Sequence, residues 1–181
     1  PHARYLVDIS GLDDAEAAPL ACAGVTTYSA LKKLGERIKT DPLVIIGAGG
    51  LGLMAIEVLK AMGGQGAIVV DIDPSKREAA LKAGALAAID AKATDAVAQV
   101  QAATNGGARA VLDLVGATPT VTLATAACAR GGHIVICGLI AEYDATAPYA
   151  YTRLRSVLVN RIRMQGMIVF DWKDRYGEAL E

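Results

Sequence analysis

The sequence has few aromatic residues, few cysteines, almost no net charge and no long apolar run. Aromatic residues make up 4% of the 181 positions and the formal net charge is −1, so the chain offers neither base-stacking side chains nor a basic patch. No apolar run approaches the roughly 20 residues that span a bilayer, and the first residues lack a signal-peptide pattern. These absences predict that neither a nucleic acid nor a membrane is a partner.

The three cysteines, Cys22, Cys128 and Cys137, form neither a Cys-x-x-Cys pair nor an even set. Such usage indicates a reducing compartment and predicts a cytoplasmic location. The hydrophobic content of 53% and the charged content of 20% are typical of a globular domain with a real core. Because the chain begins without a methionine, we expect a fragment of a longer protein.

A glycine cluster at residues 47–52 organises the chain, since a short apolar run stops there and a helical pattern starts at once. Gly47, Gly49 and Gly52 fit the pattern G-x-G-x-x-G. In a dinucleotide site the first glycine allows a tight turn, the second lets a pyrophosphate approach the backbone, and the third lets helix and strand pack closely. The phosphates then lie at a helix N-terminus. The predicted phosphate-binding set is Gly47, Gly49, Gly50, Leu51 and Gly52.

An acidic residue follows the glycine cluster at the distance expected of a dinucleotide site. The apolar run 67–70 ends in Asp71, about twenty positions after Gly52. A carboxylate there accepts hydrogen bonds from the ribose hydroxyls and repels a 2′-phosphate. The sequence therefore predicts NAD, rather than NADP, as the cofactor.

Apolar strands alternate with helical segments along most of the chain. This order predicts an α/β fold, a Rossmann doubly wound parallel sheet with helices on both faces. The predicted strands are 43–46, 67–71, 84–90, 110–116, 133–138 and 161–170. The predicted helices are 22–39, 51–62, 73–83, 94–104, 119–129, 153–160 and 175–181. We expect residues 1–20 to be a strand and linker from a catalytic domain, 21–170 the dinucleotide-binding domain, and 171–181 the start of a truncated return segment.

Three stretches together resemble the cofactor-binding domain of the medium-chain dehydrogenase/reductase superfamily. They are residues 18–32 (APLACAGVTTYSALK), the turn 47–52, and residues 71–76 (DIDPSK). Residues 1 to about 140 most resemble the zinc-dependent alcohol dehydrogenase branch. The resemblance implies that a catalytic domain, with the remaining zinc ligands and a proton relay, precedes residue 1.

The resemblance assigns roles to further residues. Cys22 matches a ligand of the catalytic zinc, and a thiolate at a helix N-terminus suits that metal. Thr26 matches a residue that touches the nicotinamide, and Lys76 one beside the adenosine ribose. Positions lining the nicotinamide pocket, partly through backbone groups, correspond to Val115, Cys137 and Leu139.

Each of these residues also has a purely structural interpretation. Cys22 fits a small buried apolar residue, Lys76 a solvated helix lysine, and Val115 or Leu139 a core position at a strand end. Packing, rather than chemistry, is the prediction for the thiols of Cys128 and Cys137. A structural role is predicted for His133, and a turn or capping role for Asp113.

The C-terminal part points to a different branch. Residues 151–176 are similar to the zinc-free, NADP-dependent alkenal and quinone-type double-bond reductases, whereas Asp71 and Cys22 disagree with that branch. The leading hypothesis is the NAD-binding domain of a zinc-assisted alcohol dehydrogenase acting on a small-molecule alcohol, aldehyde or ketone. The alternatives are a domain of a zinc-free NADP-dependent reductase and a non-catalytic dinucleotide-binding module. The resemblance also implies a homo-oligomer paired through the last strand, Arg163 to Val169.

Overall fold

The computed structural model describes residues 8–140, 143–144, 146–147 and 150–171. Most of the strand predicted at the N-terminus and the helix predicted over 175–181 lie outside the described residues. In the described part of the chain, no helix is long and apolar enough to cross a membrane.

Six strands form one sheet in the order β3-β2-β1-β4-β5-β6, and every neighbouring pair is parallel. The order reverses at β1, so that β1 and β4 are adjacent although two other strands lie between them in sequence. This topology confirms the predicted Rossmann, doubly wound α/β fold. The strands are β1 (Leu43–Ile46), β2 (Ala67–Asp71), β3 (Ala87–Asp90), β4 (Ala108–Asp113), β5 (Cys128–Ile136) and β6 (Arg163–Gly166).

Helices cover both faces of the sheet, as the sequence predicts. Successive side chains of a strand point to opposite faces, and β1 divides accordingly. Leu43 and Ile45 belong to a core shared with α2 and α4, whereas Val44 and Ile46 belong to a core shared with α6 and α7. The helices are α1 (Asp14–Ala17), α2 (Ala23–Leu34), α3 (Arg37–Thr40), α4 (Gly50–Ala61), α5 (Pro74–Lys82), α6 (Ala96–Ala103), α7 (Thr118–Ala127) and α8 (Leu154–Asn160). A 3₁₀ turn, Ala18–Ala21, joins α1 to α2.

The prediction of one continuous helix over 22–39 is wrong. The segment consists of α2 and α3, which are separated at Gly35. Gly35 has φ of +63°, a conformation that ends helices and that side-chain-bearing residues rarely adopt. Leu34 and Ile38 on either side are both buried, so the apolar spacing continues across the break and conceals it from sequence reasoning.

Several predicted strand boundaries are also wrong. β4 ends at Asp113 rather than at residue 116, because the carboxylate of Asp113 accepts the N–H groups of Val115 and Gly116 and closes a turn. The last strand is limited to β6, four residues long, instead of the predicted 161–170.

The buried face of β5 carries one histidine. His133 is 1% exposed, and neither ring nitrogen has a hydrogen-bond partner among the described residues. Burial lowers the pKa of His133, the charges of Arg163, Arg37 and Lys33 lower it further, and the nearby side chain of Gln165 opposes this in part. This position in the core agrees with the predicted structural role.

His133 should make the fold sensitive to mild acid. Its native pKa lies below the unfolded value of about 6.5, so the unfolded state binds the proton more readily. Stability that is fully present above that pH is therefore lost as the pH falls below it, by up to about 1.4 kcal/mol per pH unit for one proton. We expect His133→Leu and His133→Gln to flatten the dependence of the unfolding free energy on pH. Urea unfolding from about pH 8 to about pH 5.5 measures this. Unchanged pH dependence in both variants would contradict the assignment.

Candidate functional site

A cleft of about 470 Å³ opens at the carboxyl edge of the sheet, where β1 and β4 end beside each other. This is the position at which open α/β sheets bind ligands, because the connections from the two strands diverge there to opposite faces. Eight residues of the predicted set line the cleft. They are Gly47, Gly49, Gly50, Leu51, Gly52, Asp71, Lys76 and Val115.

The floor of the cleft is the tight turn from β1 to α4. Gly47 has φ of +99°, and its N–H donates to the carbonyl of Val70 at 2.9 Å. A Cβ added at Gly47 would lie 2.8 Å from the Cγ2 atom of Val115. A Cβ added at Gly52 would collide with the carbonyl oxygen of Gly47. Conformation and close packing therefore both require glycine at these two positions.

Gly49 and Gly50 differ from these neighbours, because nothing in the described protein requires them to be glycine. An added Cβ at either position meets no atom within 4 Å, and Gly49 has an ordinary φ of −75°. Both residues are exposed to the cleft. The main chain at the start of α4 is thus bare, and no side chain caps that helix. Such a helix end offers N–H groups to an anion that approaches closely.

Asp71 forms one wall of the cleft and is held in place by main-chain donors. Its side chain accepts the N–H of Ala48 through Oδ2 at 2.7 Å and the N–H of Asp73 through Oδ1 at 2.8 Å. Asp71 is 9% exposed. A carboxylate has about four acceptor positions, so two remain for the hydroxyl groups of a ligand. The carboxylate is therefore fixed beside the glycine turn before any ligand binds.

Lys76 lies on the same wall, at the start of α5. Asp73 caps this helix by accepting the N–H of Ser75 at 2.8 Å and its hydroxyl at 2.7 Å. The Ser75 hydroxyl, and after it the Ser75 N–H, lower the pKa of Asp73. The cap fixes the first turn of α5, and Lys76 is exposed from that turn into the cleft.

The opposite wall follows β4. Asp113 is fully buried, and its Oδ1 atom accepts the N–H groups of Val115 and Gly116, each at 3.0 Å. Burial raises the pKa of Asp113, and the two N–H groups counteract this. The turn role predicted for Asp113 is confirmed. Its consequence for the site is that Val115 is presented to the cleft.

Four predicted site residues do not line the cleft. Cys22 is exposed at the start of α2, and Thr26 is half-buried one helical turn later. The thiol of Cys137 contacts the sulfur of Met167 at 3.5 Å, and burial raises its pKa to about 11, which agrees with a packing role. Leu139 is exposed beside Ile140, which does line the cleft. The cofactor roles of these residues remain predictions.

The described residues do not by themselves fit a zinc site. A catalytic zinc ion takes three protein ligands, and Cys22 supplies one thiolate at most. Within the described ranges, no group of three or more His, Cys, Asp or Glu side chains could hold a metal ion.

Sequence reasoning missed several lining residues, among them Ile72, Ala91, Thr120 and Ile140. Three of these follow the carboxyl ends of β2, β3 and β5, and Thr120 belongs to the first turn of α7. Thr120 is fixed there because its hydroxyl oxygen accepts the N–H of Ala117 at 3.0 Å and the hydroxyl donates to the Ala117 carbonyl at 2.9 Å. For Ile72, Ala91 and Ile140 the available signal was their position after a strand end, and no such signal marked Thr120.

Known proteins are similar to this chain in sequence and in fold. Residues 50–181 match the family described as zinc-binding dehydrogenases. An NAD-dependent alcohol dehydrogenase of Sulfurisphaera tokodaii is 39% identical in an alignment of 181 positions that covers 98% of this chain and 50% of that protein. The chain therefore spans about half the length of this curated relative.

Two solved structures show the same architecture. Benzyl alcohol dehydrogenase of Acinetobacter calcoaceticus superposes with a TM-score of 0.77 at 26% identity, over 90% of this chain and 44% of that one. CurA of Vibrio vulnificus, solved in complex with NADPH, superposes with a TM-score of 0.78 at 28% identity, over 97% and 55%. The chain thus belongs to the zinc-binding dehydrogenase family, in the zinc-type alcohol dehydrogenase branch of the medium-chain dehydrogenases.

Proposed function

We propose that this chain is the NAD-binding part of an alcohol dehydrogenase that transfers hydride between a small alcohol, or its aldehyde or ketone, and nicotinamide. The observation that carries the proposal is the carboxylate of Asp71, fixed on the cleft wall beside the bare start of α4. The related protein from Sulfurisphaera tokodaii is named for the same cofactor and reaction.

Different residues of the cleft bind different parts of the dinucleotide. The N–H groups at the start of α4 bind the pyrophosphate, and Gly49 leaves room for it to approach. Asp71 accepts from the ribose hydroxyls, and Lys76 supplies positive charge nearby. Val115 contacts the nicotinamide half, together with the predicted contributions of Thr26, Cys137 and Leu139. When bound there, the nicotinamide would supply the hydride-transfer chemistry, and these residues would hold and orient it.

Zinc assistance belongs to the proposed whole enzyme. Cys22 would be one ligand there, and because no group of three candidate ligands occurs among the described residues, the ligand set would have to be completed from outside them. The described residues therefore bind and orient the dinucleotide, and no zinc chemistry follows from them alone. A cytoplasmic location stays a prediction from the cysteine usage.

Pairing of two subunits through the C-terminal strand is also a proposal. β6 is last in the sheet order and pairs with β5 along one side. A strand at the end of a sheet is a template for pairing with another chain. This geometry supports the predicted homo-oligomer through Arg163 to Val169.

The NADP-dependent reductase remains the second candidate because CurA, a protein solved with NADPH, has the same fold. Fold likeness alone therefore does not choose between the two cofactors. Asp71 favours NAD, because its carboxylate would accept hydrogen bonds from the ribose hydroxyls of NAD and would repel the 2′-phosphate of NADP. The non-catalytic module ranks third, since the family that residues 50–181 match is described as zinc-binding dehydrogenases.

Replacement of Asp71 tests the proposed cofactor. We expect the wild type to bind NAD at least about tenfold more tightly than NADP, and Asp71→Ala to reduce this preference to about twofold or less. Asp71→Asn should have a similar effect, since it keeps an acceptor for Ala48 and removes the negative charge. Calorimetric titration with both dinucleotides measures the ratio. Glu57→Gln, at an exposed acid of α4, is the control. Tighter binding of NADP by the wild type would refute the proposal in favour of the reductase.

A further inference from the structure

Arg77 connects the ends of two strands behind the proposed ribose site. From the second turn of α5, its Nη1 atom donates to the main-chain carbonyl of Asp71 at 2.9 Å. Its Nη2 atom lies 3.4 Å from the Oδ2 atom of Asp90. Asp71 and Asp90 are partners in the register of β2 and β3, so a single guanidinium joins the last residues of both strands.

The two strand ends are fixed by further main-chain hydrogen bonds. The carbonyl of Asp71 also accepts the N–H of Ala91 at 3.2 Å, and Ala91 lines the cleft. The Oδ1 atom of Asp90 accepts the N–H of Lys92 at 2.9 Å, which leaves Oδ2 directed to Arg77. Each oxygen of Asp90 therefore has its own partner, and the guanidinium is held at the rear of Asp71.

The orientation of Arg77 contrasts with that of its neighbour Lys76. Lys76 lines the cleft, whereas Arg77 is outside it, with its side chain 19% exposed. Arginine is the residue that accommodates the 2′-phosphate in dinucleotide sites that take NADP. A guanidinium is thus present next to the residue that selects the ribose, and it is restrained by Asp90.

The ion pair between Arg77 and Asp90 is of a kind that contributes little to the free energy of unfolding. Ion pairs between partly exposed side chains stabilise proteins weakly. The side chains of Arg77 and Asp90 are 19% and 41% exposed. The ion pair between Arg77 and Asp90 is therefore expected to add little to stability, and the hydrogen bond from Arg77 to the Asp71 carbonyl connects this pair to the proposed ribose site.

We propose that Arg77 and Asp90 are positioning residues for cofactor specificity: Arg77 fixes the main chain of Asp71, and Asp90 keeps the guanidinium away from the 2′ position of the ribose. This inference rests on the proposed function, because it concerns how the same site distinguishes NAD from NADP. Removal of the negative charge of Asp90 should release the Nη2 side of the guanidinium and let the charge of Arg77 approach a 2′-phosphate. Loss of Arg77 should instead loosen Asp71.

Two variants separate these effects. We expect Asp90→Asn to lower the NAD-over-NADP preference at least about threefold, through tighter binding of NADP. Arg77→Met should weaken NAD binding at least about threefold without tightening NADP. The double variant should show no gain in NADP binding, since the mobile guanidinium is gone. Titration calorimetry of the 181-residue chain with each dinucleotide measures these constants, and urea unfolding confirms that each variant is folded.

A matched control exists on the same helix. Lys82 and Glu78 form an exposed ion pair at 2.7 Å on α5, so Glu78→Gln removes an acid that, like Asp90, has a basic partner but lies outside the cleft lining. It should leave both dissociation constants unchanged.

Defined results overturn the inference. It fails if the preference of Asp90→Asn falls less than about threefold, or if the double variant gains NADP binding equally. It also fails if Arg77→Met binds NAD within about threefold of the wild type. In those cases the wild type still prefers NAD and the proposed function stands. A wild type that prefers NADP refutes the proposed function itself, which distinguishes the two failures.

Discussion

Gly49→Val should weaken the binding of NAD about 100-fold while leaving the fold intact. An added Cβ at Gly49 meets no protein atom within 4 Å, and its φ of −75° suits any residue. The new methyl groups would fill the space through which a pyrophosphate reaches the start of α4. We expect the loss of two charge-assisted hydrogen bonds, about 1.5 kcal/mol each or slightly less, and hence binding about 100-fold weaker. The cost to stability should be about 1 kcal/mol or less, since valine is a poorer helix cap than glycine.

The measurement is a titration with NAD beside a urea unfolding curve. Gly166→Val is the control, because Gly166 also has no atom within 4 Å of an added Cβ and lies on β6, outside the cleft. It should bind NAD like the wild type. If Gly49→Val binds NAD within about threefold of the wild type, the phosphates do not contact this turn, and the site must be placed elsewhere.

The parts of this site that sequence reasoning could predict are those with a local physical cause. The turn requires a positive φ at position 47, close packing leaves no room for a Cβ at position 52, and Asp71 is the last residue of a buried strand. Each of these requirements arises from residues close by in the sequence, so it can be recognised from the residue type at that position. The glycine pattern and the acid at its characteristic distance were therefore enough to place one half of the cleft.

The parts that could not be predicted depend on contacts between distant segments. Arg77 looked like any charged residue of a helix, and only the pairing of β2 with β3 shows that it joins Asp71 to Asp90. Packing was predicted for the thiol of Cys137, but its partner, Met167, lies thirty positions away and could not be identified from the sequence. Contacts of this kind determine where a side chain at a strand end points. They cannot be inferred from a single sequence.

The break at Gly35 illustrates the same limit at the level of secondary structure. The apolar residues of α2 and α3 keep a helical spacing because both helices cover the same core. The periodicity of the apolar residues shows which side of the segment is buried. A local change of backbone conformation, such as that at Gly35, does not alter this spacing. Only the glycine itself signalled the interruption, and isolated glycines also occur within helices.

Gly52→Ala should reduce stability strongly, and the effect follows from a balance of two opposing terms. Alanine favours helix over glycine by about 1 kcal/mol in the interior of a helix such as α4. Against this, the added Cβ collides with the carbonyl oxygen of Gly47 and lies 3.1 Å from its carbonyl carbon. Both atoms belong to the main chain of a tight turn with φ of +99°, so neither can rotate away as a side chain would. Because the overlap is with rigid main-chain atoms, we expect it to cost about 3 to 4 kcal/mol, at or above the upper end of the usual cost of overpacking, which leaves a net loss after the gain in helix propensity.

We therefore expect Gly52→Ala to lower the unfolding free energy by about 2 to 3 kcal/mol and to displace the phosphate-binding turn. Gly50→Ala, two residues earlier in α4, is the matched control: its added Cβ meets no atom within 4 Å, so only helix propensity acts. Urea unfolding of both variants gives the comparison. Equal midpoints would mean that α4 can move away from β1 without cost, and the close helix–strand packing would not be what requires glycine at position 52. A lower midpoint for Gly52→Ala alone assigns the loss to the contact with Gly47, since the two substitutions are chemically identical.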